Sequence, residues 1–325
     1  MSQPFVSIII PAYNVQDYIA QTIESCANQS FSDIEIIIVD DCSSDETMTI
    51  AQTYATADAR IKIVRNTENM KLLHARAEGA KAARGKYVMF VDADDVLESH
   101  ALQRCVEAIR GGDIDTNIDM IMFNHKLWHS DHTREVRCYR QGYYPNIDMF
   151  YYYLINISGL CWNIWGKLIR RELYLRAFAL IDSGHKLNMA EDALIYFACT
   201  SLARSVLTLS EPLLLYRQRE DSISRTKTLQ QRAQSLKDHQ IVSQTIARVS
   251  AELAPHVSVM QRLYMRKYLS NALLSAQNAR FALDTHPTPA QIQQHKRYHK
   301  RFLRAHRARK ILSRIVWLWV GVRRF

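Results

Sequence analysis

Asp92-Ala93-Asp94-Asp95 follows the apolar run YVMFV, so three carboxylates stand together where a buried strand would end. Like charges this close repel, and a carboxylate taken out of water needs a positive partner. Adjacent Asp side chains at a strand end are a hard-oxygen site suited to Mg²⁺ or Mn²⁺ that also holds substrate phosphates. The plainer reading is a solvated turn with a helix N-cap. Asp40-Asp41 closes the run IEIIIV in a similar way. There Asp45, Ser43 or Ser44, with Glu46 close by, suit the capping of the next helix. Asp41 at the strand tip can instead accept an imide N–H such as that of uracil. Glu191-Asp192, read alone, is the acidic first turn of a helix, which the macrodipole favours.

These residues need a scaffold that brings them together. FVSIII, IEIIIVD, IKIVR, YVMFVD and IDMIMFN are short β-rich runs, several of them apolar on both faces. DYIAQTIESCANQ, DETMTIAQTYA, LLHARAEGAKAA and SHALQRCVEAIR lie between them with helical spacing of apolar residues. Alternation of this kind predicts an α/β fold: a mostly parallel sheet with helices on both faces. Ligands of such sheets sit at the carboxyl ends of the strands. Pro11-Ala12-Tyr13-Asn14, Asp40-Asp41 and the Asp92–Asp95 cluster therefore converge on one edge. From about residue 126 to 160 the pattern loosens into polar and Tyr-rich sequence. GHKLNMAEDALIYFACTSLA then reads as a loop entering a helix, and SVLTL and PLLLYRQR as two further strands. Beyond Ser224 the chain is helical, chiefly around 230–253 and 257–283, and ends in a basic helix after Pro287 and Pro289.

Hydrophobic content of 48% and charged content of 23% over 325 residues suit a globular chain with a full core. No apolar run has the length of a membrane span. MSQPFVSIII lacks the features of a secretory signal. The six cysteines are scattered without a CxxC pair, which predicts reduced thiols and a cytoplasmic setting. The net charge of +10 is concentrated after Asp284, where no acidic side chain occurs, and such a tail favours anionic surfaces.

VSIIIPAYN, FSDIEIIIVDDCSSDET, HARAEGAKAARGKYVMFVDADD and NMAEDALIYF together resemble the family-2 glycosyltransferases of the GT-A (Rossmann-like) fold, in order and spacing over roughly residues 4–225. The resemblance implies nucleotide contacts from the strand-end Pro11, Ala12, Tyr13 and Asn14 and from Asp41. It implies that Arg76 helps to hold the donor, that Asp92 faces the donor ribose or sugar, and that Asp94, with Asp92, ligates Mn²⁺ or Mg²⁺. Asp192 matches the acidic pair's base, the carboxylate that takes a proton from the acceptor hydroxyl, and Glu191 orients the acceptor or the loop. Arg217 and Arg219 resemble the region closing over the diphosphate, with Asp95 beside it. Two departures stand out. Cys42 occupies a position that is usually Gly, and NTENMKLLHAR lacks the small residues common before the Arg. Neither removes a charged group that the chemistry requires.

The expected activity is inverting, metal-dependent transfer from a nucleotide-sugar, a UDP-sugar, to a glycan or lipid-linked acceptor in bacterial lipopolysaccharide, lipooligosaccharide or capsule synthesis. The expected division is a catalytic unit over 1–225, with its nucleotide-sugar half at about 1–125 and its acceptor half at about 126–225, and a helical region over 226–325. The aromatic residues from Tyr143 to Trp165 offer an acceptor platform or are core. His74, His125, His129 and His132 form no zinc set. Ile311, Ile315, Leu318 and Val322, with Leu312, Val316 and Trp319, make an apolar stripe among basic residues in the final helix. That stripe suits peripheral attachment at the inner face of an anionic cytoplasmic membrane; packing on the catalytic unit or on another subunit is the alternative, and a homo-oligomer stays open. Two other classes compete. The strand and DxDxV pattern also fits a haloacid dehalogenase-like phosphatase, and IIIVDD or the basic tail fits a receiver-like or nucleic-acid-binding module. The long α/β stretch before the motif disfavours the first. Chain length and the scarcity of aromatics in the tail disfavour the second, so no nucleic-acid partner is expected.

Overall fold

The computed structural model describes residues 3–111, 117–157, 161–182, 184–219, 228–284 and 287–322, apart from the side chains of 319–322. The elements run β1 (Val6–Ala12), α1 (Ile19–Ala27), β2 (Ile34–Asp40), α2 (Thr47–Ala57), β3 (Ile61–Arg65), α3 (Lys71–Ala82), β4 (Tyr87–Phe90), β5 (Val96–Leu97) and α4 (Ala101–Arg110). They continue with β6 (Met120–Trp128), β7 (Thr133–Val136), β8 (Gly142–Tyr144), α5 (Ile147–Asn156), β9 (Lys167–Arg170), α6 (Arg171–Ile181), α7 (Glu191–Leu202) and β10 (Val206–Arg217). Three long helices follow: α8 (Leu229–Leu253), α9 (Val259–Leu283) and α10 (Pro289–Val322).

The sheet order is β3-β2-β1-β4-β9-β6-β10-β5, with β7 paired to β6 and β8 to β10. β1 pairs in parallel with β2 and with β4, so that Ile9 lies opposite both Ile37 and Phe90. β1 and β2 are buried along their whole length, which explains the absence of apolar–polar alternation. Successive side chains instead feed two cores. Ile9, Ile37, Val39, Val88 and Phe90 point to the side of α3 and α5–α9, whereas Ile8, Ile10, Ile36, Ile38 and Met89 point to the side of α1 and α4. This is the α/β architecture with a helical C-terminal region that the sequence predicts.

β9 is antiparallel to both β4 and β6, and β6 is parallel to β10. The carboxyl ends of β1, β2, β4, β6 and β10 and the amino end of β9 thus share one edge. The Pro11–Asn14 segment, Asp41, the Asp92–Asp95 turn, Trp165 and Arg217 all arrive there. Gly79 lets α3 lie against β1, because a Cβ at that position would collide with the Ile9 side chain. The same close approach buries Arg76, one turn earlier on α3.

Three expectations need correction. SVLTL and PLLLYRQR are one strand, β10, whose pairing with β6 shifts register around Pro212; proline has no N–H for the ladder, so an irregularity there replaces a break. Cys138 and Cys161 form a disulfide with Cα atoms 6.1 Å apart, so the six cysteines are not all thiols. They lie 23 residues apart, beyond any local spacing rule, and only the fold brings them together. The serines after Asp41 do not build the α2 capping box. Asp45 accepts from the Thr47 N–H, while Ser43 and Ser44 hold Asn14.

Candidate active site

Two helix starts meet the sheet edge: α3 carries Arg76, and α7 begins with Glu191 and Asp192. Arg76 is fully buried. It donates to Asp92 Oδ1 at 2.7 Å through Nη2 and to Asp192 Oδ1 at 2.5 Å through Nη1, with Glu191 Oε1 3.6 Å away. One rigid guanidinium fork therefore joins the strand-end cluster to the helix-start pair. Burial, and Asp192 beside it, push Glu191 up to about 8 against the pull of Arg76. Asp192 is raised too, by burial first, with Arg76 opposing. Its other oxygen accepts from the Ile164 N–H at 3.4 Å. Ala190, just before this pair, takes φ 64, a left-handed turn that sets the helix start under the cleft.

The Asp92–Asp95 turn is tied down from β10. Arg217 donates its backbone N–H to Asp95 Oδ1 at 2.9 Å and its Nε–H to the Asp94 carbonyl at 2.8 Å, with its guanidinium carbon 4.0 Å from the Trp128 ring centroid. Arg219 reaches Asp94 Oδ2 at 3.0 Å and lies over the Tyr18 ring. These two arginines are built into the site and are not a solvated strand end. Burial and Asp92 nonetheless raise Asp94, and Asp95 stands well above the carboxylate range, with its buried Oδ2 lacking a hydrogen-bond partner. The cluster still carries uncompensated negative character and offers only hard oxygens, which fits Mg²⁺ or Mn²⁺. Among the described residues no group of three His, Cys, Asp or Glu is arranged to cage a metal.

Pro11, Ala12, Tyr13, Asn14 and Asp41 also line this cleft. Tyr13 is exposed to the cleft, and Asn14, at φ 51, accepts the Ser44 N–H. Asp41 is more committed than its sequence position suggests. Its carboxylate accepts from Asn66 Nδ2, the Met70 N–H and the Lys71 N–H, at 2.7, 2.7 and 2.9 Å. It orders the loop before α3, and a nucleobase would share an acceptor already in use. Both sequence departures fall on left-handed backbone: Cys42 has φ 67 and Lys71, in the segment before Arg76, φ 66. The missing small residues thus matter through backbone strain more than through packing.

On the far side the aromatic run divides. Phe150, Tyr151 and Leu154 are core, while Trp162 and Trp165 line the cleft. Trp165 stacks on Tyr216, 4.9 Å between centroids, with the His125 ring edge-on at 4.8 Å. His125 is pushed down to about 4 by burial and by Lys167, so it is neutral at pH 7. His74 pairs with Asp182, and His129 stacks on His132. Lys167 belongs to the segment WNIWGKLIRR. It is fully buried beneath this wall, between the Tyr139 and Tyr196 rings, and burial pulls it down to about 7. Its only sequence signal is a lone Lys in a dense apolar segment. The remainder of YRQREDSIS, from Glu220 on, lies outside the described residues.

A family model described as Glycosyl transferase family 2 matches residues 7–173. The chain is 34% identical over 225 residues to the uncharacterized glycosyltransferase EpsJ of Bacillus subtilis (strain 168), covering 68% of this chain and 63% of that protein. It therefore spans less than two thirds of that relative. Among solved structures, S. aureus TarS 1-349 in complex with UDP-GlcNAc superposes with TM-score 0.58 at 19% identity, over 95% of this chain and 91% of that one. Mannosyltransferase PcManGT from Pyrobaculum calidifontis, in complex with GDP-Man and Mn²⁺, gives TM-score 0.53 at 17% identity, over 98% and 88%. At these identities the structural likeness concerns the fold.

Proposed function

The chain belongs to glycosyltransferase family 2, a family of the bacterial polysaccharide-building type, and from that membership we propose an inverting transfer of a sugar from a UDP-sugar to a glycan or lipid-linked acceptor of the cell surface. The observation that carries the reading is the Arg76 bridge. It holds a donor-side carboxylate, Asp92, and an acceptor-side carboxylate, Asp192, at opposite ends of one guanidinium in a single cleft.

Asp192 takes the proton from the acceptor hydroxyl as that oxygen forms its bond to the anomeric carbon. The bond from the anomeric carbon to the diphosphate breaks at the same time, and UDP leaves with the electron pair. One displacement inverts the anomeric centre. Arg76 opposes the rise that burial imposes on Asp192 and aims its carboxylate. Glu191, raised to about 8, is protonated at neutral pH and so orients rather than accepts. Tyr13, Asn14 and Asp41 hold the nucleoside, and Asp92 faces the ribose or sugar. Asp94 and Asp92 would hold the divalent cation, whose chemistry when bound is to offset the charge developing on the diphosphate. Arg219, already at Asp94, stands where it can meet the same phosphates.

We read residues 1–225 as the catalytic unit and 226–325 as a helical region that packs on it and carries the membrane contact. Among the described residues no helix is long and apolar enough to cross a membrane. α10 instead displays Ile311, Leu312, Ile315 and Leu318 to solvent among basic residues, which supports attachment to the inner face of an anionic membrane. The test of the transferase reading is a panel of UDP- and GDP-sugars screened by thermal shift with and without Mn²⁺, followed by UDP release from the best binder. A metal-dependent shift with a UDP-sugar is expected. Failure of every nucleotide sugar to bind, or hydrolysis of an aryl phosphate instead, overturns the reading.

A further inference from the structure

Basic charge in the last two helices has no carboxylate to answer it. The chain has no Asp or Glu between Glu252 and Asp284, and none after Asp284, yet α9 carries Arg262, Arg266, Lys267 and Arg280 and α10 has Lys and Arg along its length. Lys267 is the innermost of these cations. It is buried between α9 and α5, and its ammonium donates to the Leu154, Ile155 and Ile157 carbonyls at 2.6, 3.3 and 3.3 Å. Its three hydrogens are used, but carbonyl dipoles leave its charge in place. The one carboxylate of α5, Asp148, sits at the other end of that helix and accepts from Ser258. Burial, with Lys310 and Arg309 nearby, pulls Lys267 down to about 7, and the same cations add to burial in pushing His306 down to about 4.

Arg309 is the member of this cluster with donors to spare. Its Nη1 is anchored on α9, to the Arg266 carbonyl at 2.7 Å and the Ser270 hydroxyl at 2.6 Å. Its Nε and Nη2 are shielded from water and have no hydrogen-bond partner. Those two nitrogens form one edge of the planar guanidinium, the edge that grips an oxyanion through two parallel N–H bonds. Buried donors left unmade cost free energy, and no acceptor of the chain answers these two. Arg309 as a whole is half-buried, so the edge lies just beneath the surface.

Apolar side chains rim the place on both helices. Leu273 is three residues on from Ser270, and Leu312 three on from Arg309, so each shares a face with its neighbour, and both are 44% exposed. Ile311, Ile315 and Leu318 extend the apolar surface along α10. A phosphate free in solution gains nothing from exposed leucines, whereas the phosphate of a lipid headgroup comes with acyl chains beside it. Resting on the membrane reading above, we propose that the unpartnered edge of Arg309, backed by Lys267 and Lys310, is an oxyanion site that takes the headgroup phosphate of an anionic membrane lipid. The α9–α10 pair then holds one lipid phosphate in a fixed place, in addition to the diffuse attraction of a basic helix for a charged surface.

The experiment uses the full chain and three variants. Arg309→Lys keeps the charge and loses the two-donor edge, Arg309→Gln loses both, and Arg304→Gln removes the same charge at an exposed position of the same helix. Binding to phosphatidylcholine vesicles with and without phosphatidylglycerol is measured by co-sedimentation, circular dichroism checks the fold, and inorganic phosphate is compared with chloride at equal ionic strength by thermal shift. Binding to the phosphatidylglycerol vesicles falls at least tenfold in both Arg309 variants and stays within threefold in Arg304→Gln. Those vesicles raise the melting temperature of the wild type and of Arg304→Gln but not of the Arg309 variants. Equal losses in Arg304→Gln and Arg309→Gln, or an Arg309→Lys variant that binds as the wild type does, overturn the site and leave only diffuse charge. A thermal shift by inorganic phosphate that depends on Arg309, with vesicle binding indifferent to Arg309, overturns the lipid assignment in favour of a free anion. Vesicle binding indifferent to Arg309 leaves the membrane reading standing, whereas a wild-type chain that binds no phosphatidylglycerol vesicle overturns that reading and this site's lipid with it.

Discussion

Asp192 and Glu191 differ in what Arg76 does for them. Asp192 is gripped by a guanidinium N–H, whereas Glu191 stands 3.6 Å off and is pushed up to about 8. Asp192→Asn keeps size and loses proton acceptance, so transfer falls by roughly 10²- to 10⁴-fold with UDP affinity unchanged. Glu191→Gln, replacing a group already protonated at neutral pH, costs far less; kcat for both variants against wild type distinguishes the two carboxylates. Arg76→Lys supplies one ammonium where a two-ended fork stood. Asp192 then loses part of the charge that opposes its raised pKa. The acid limb of the transfer rate therefore moves to higher pH in a kcat/KM profile. Loss of one of the two guanidinium contacts also destabilises the fold, read as a lower denaturation midpoint.

At the scale of elements, four described residues that are not glycine, Asn14, Cys42, Lys71 and Ala190, take left-handed backbone. Cys42→Gly relieves φ 67 at the β2–α2 turn, and relief of about 1–2 kcal/mol against a Gly entropy cost of about 0.5–1 kcal/mol leaves a small net gain. The lost contact from the Cys42 thiol to the Asn66 carbonyl is weak, at 3.3 Å. Thermal unfolding of the variant, expected a few degrees higher, checks this. β9 shows the opposite case, an element that carries a burden. Lys167 is pulled down to about 7 by burial, so above that pH the folded chain releases a proton that the unfolded chain keeps to its ordinary pKa near 10.5. Stability then rises with pH from about 7 towards 10 on account of this group, and below 7 the full penalty of a buried ammonium is present. Lys167→Met is expected to stabilise the fold at pH 6–7 by an amount on the order of a few kcal/mol and to flatten that rise. Urea unfolding at pH 6.5 and 9 measures both. Lys267, also near 7 while it caps the Leu154, Ile155 and Ile157 carbonyls, leaves a residual slope.

For the whole molecule, α10 decides how the catalytic unit meets its surroundings. One side of the helix is committed to the fold. Arg309 bonds the Arg266 carbonyl, Asn156 reaches the buried Ser313, and Trp317 stacks on Tyr152 at 4.9 Å. The other side shows Ile311, Leu312, Ile315 and Leu318 to water. Val316, grouped with the stripe on sequence, belongs to the packed side. The side chains of Trp319 and Val322 and residues Arg323 and Arg324 lie outside those described. Deleting the helix would confuse the two roles, so point changes are needed. Ile311→Gln with Ile315→Gln is expected to release the protein from phosphatidylglycerol vesicles at least tenfold, with no fall in melting temperature. Trp317→Ala leaves vesicle binding in place and lowers stability by about 1–3 kcal/mol.

Local periodicity was enough to place the first four strands and their helices, because unbroken apolar runs and i, i+3, i+4 spacing depend only on neighbours in the chain. The convergence of Asn14, Asp41 and Asp92–Asp95 followed from that alternation, since parallel strands present their carboxyl ends on one edge. What joins those residues did not follow. Arg76 finds Asp92 16 residues away and Asp192 116 away, and nothing in the spacing of three charges says they will share one guanidinium. Asp41 turned inward to backbone N–H groups of a loop some 30 residues on, and Cys138 met Cys161 across a strand order that only folding sets. The sequence of α8 and α9 predicts helix but not that His239, Val242, Tyr268, Ala272 and Ser275 line the cleft. Helical character is written in a dozen consecutive residues, whereas the face a helix turns to a cleft is chosen by the packing of every other element, and that choice is made in three dimensions.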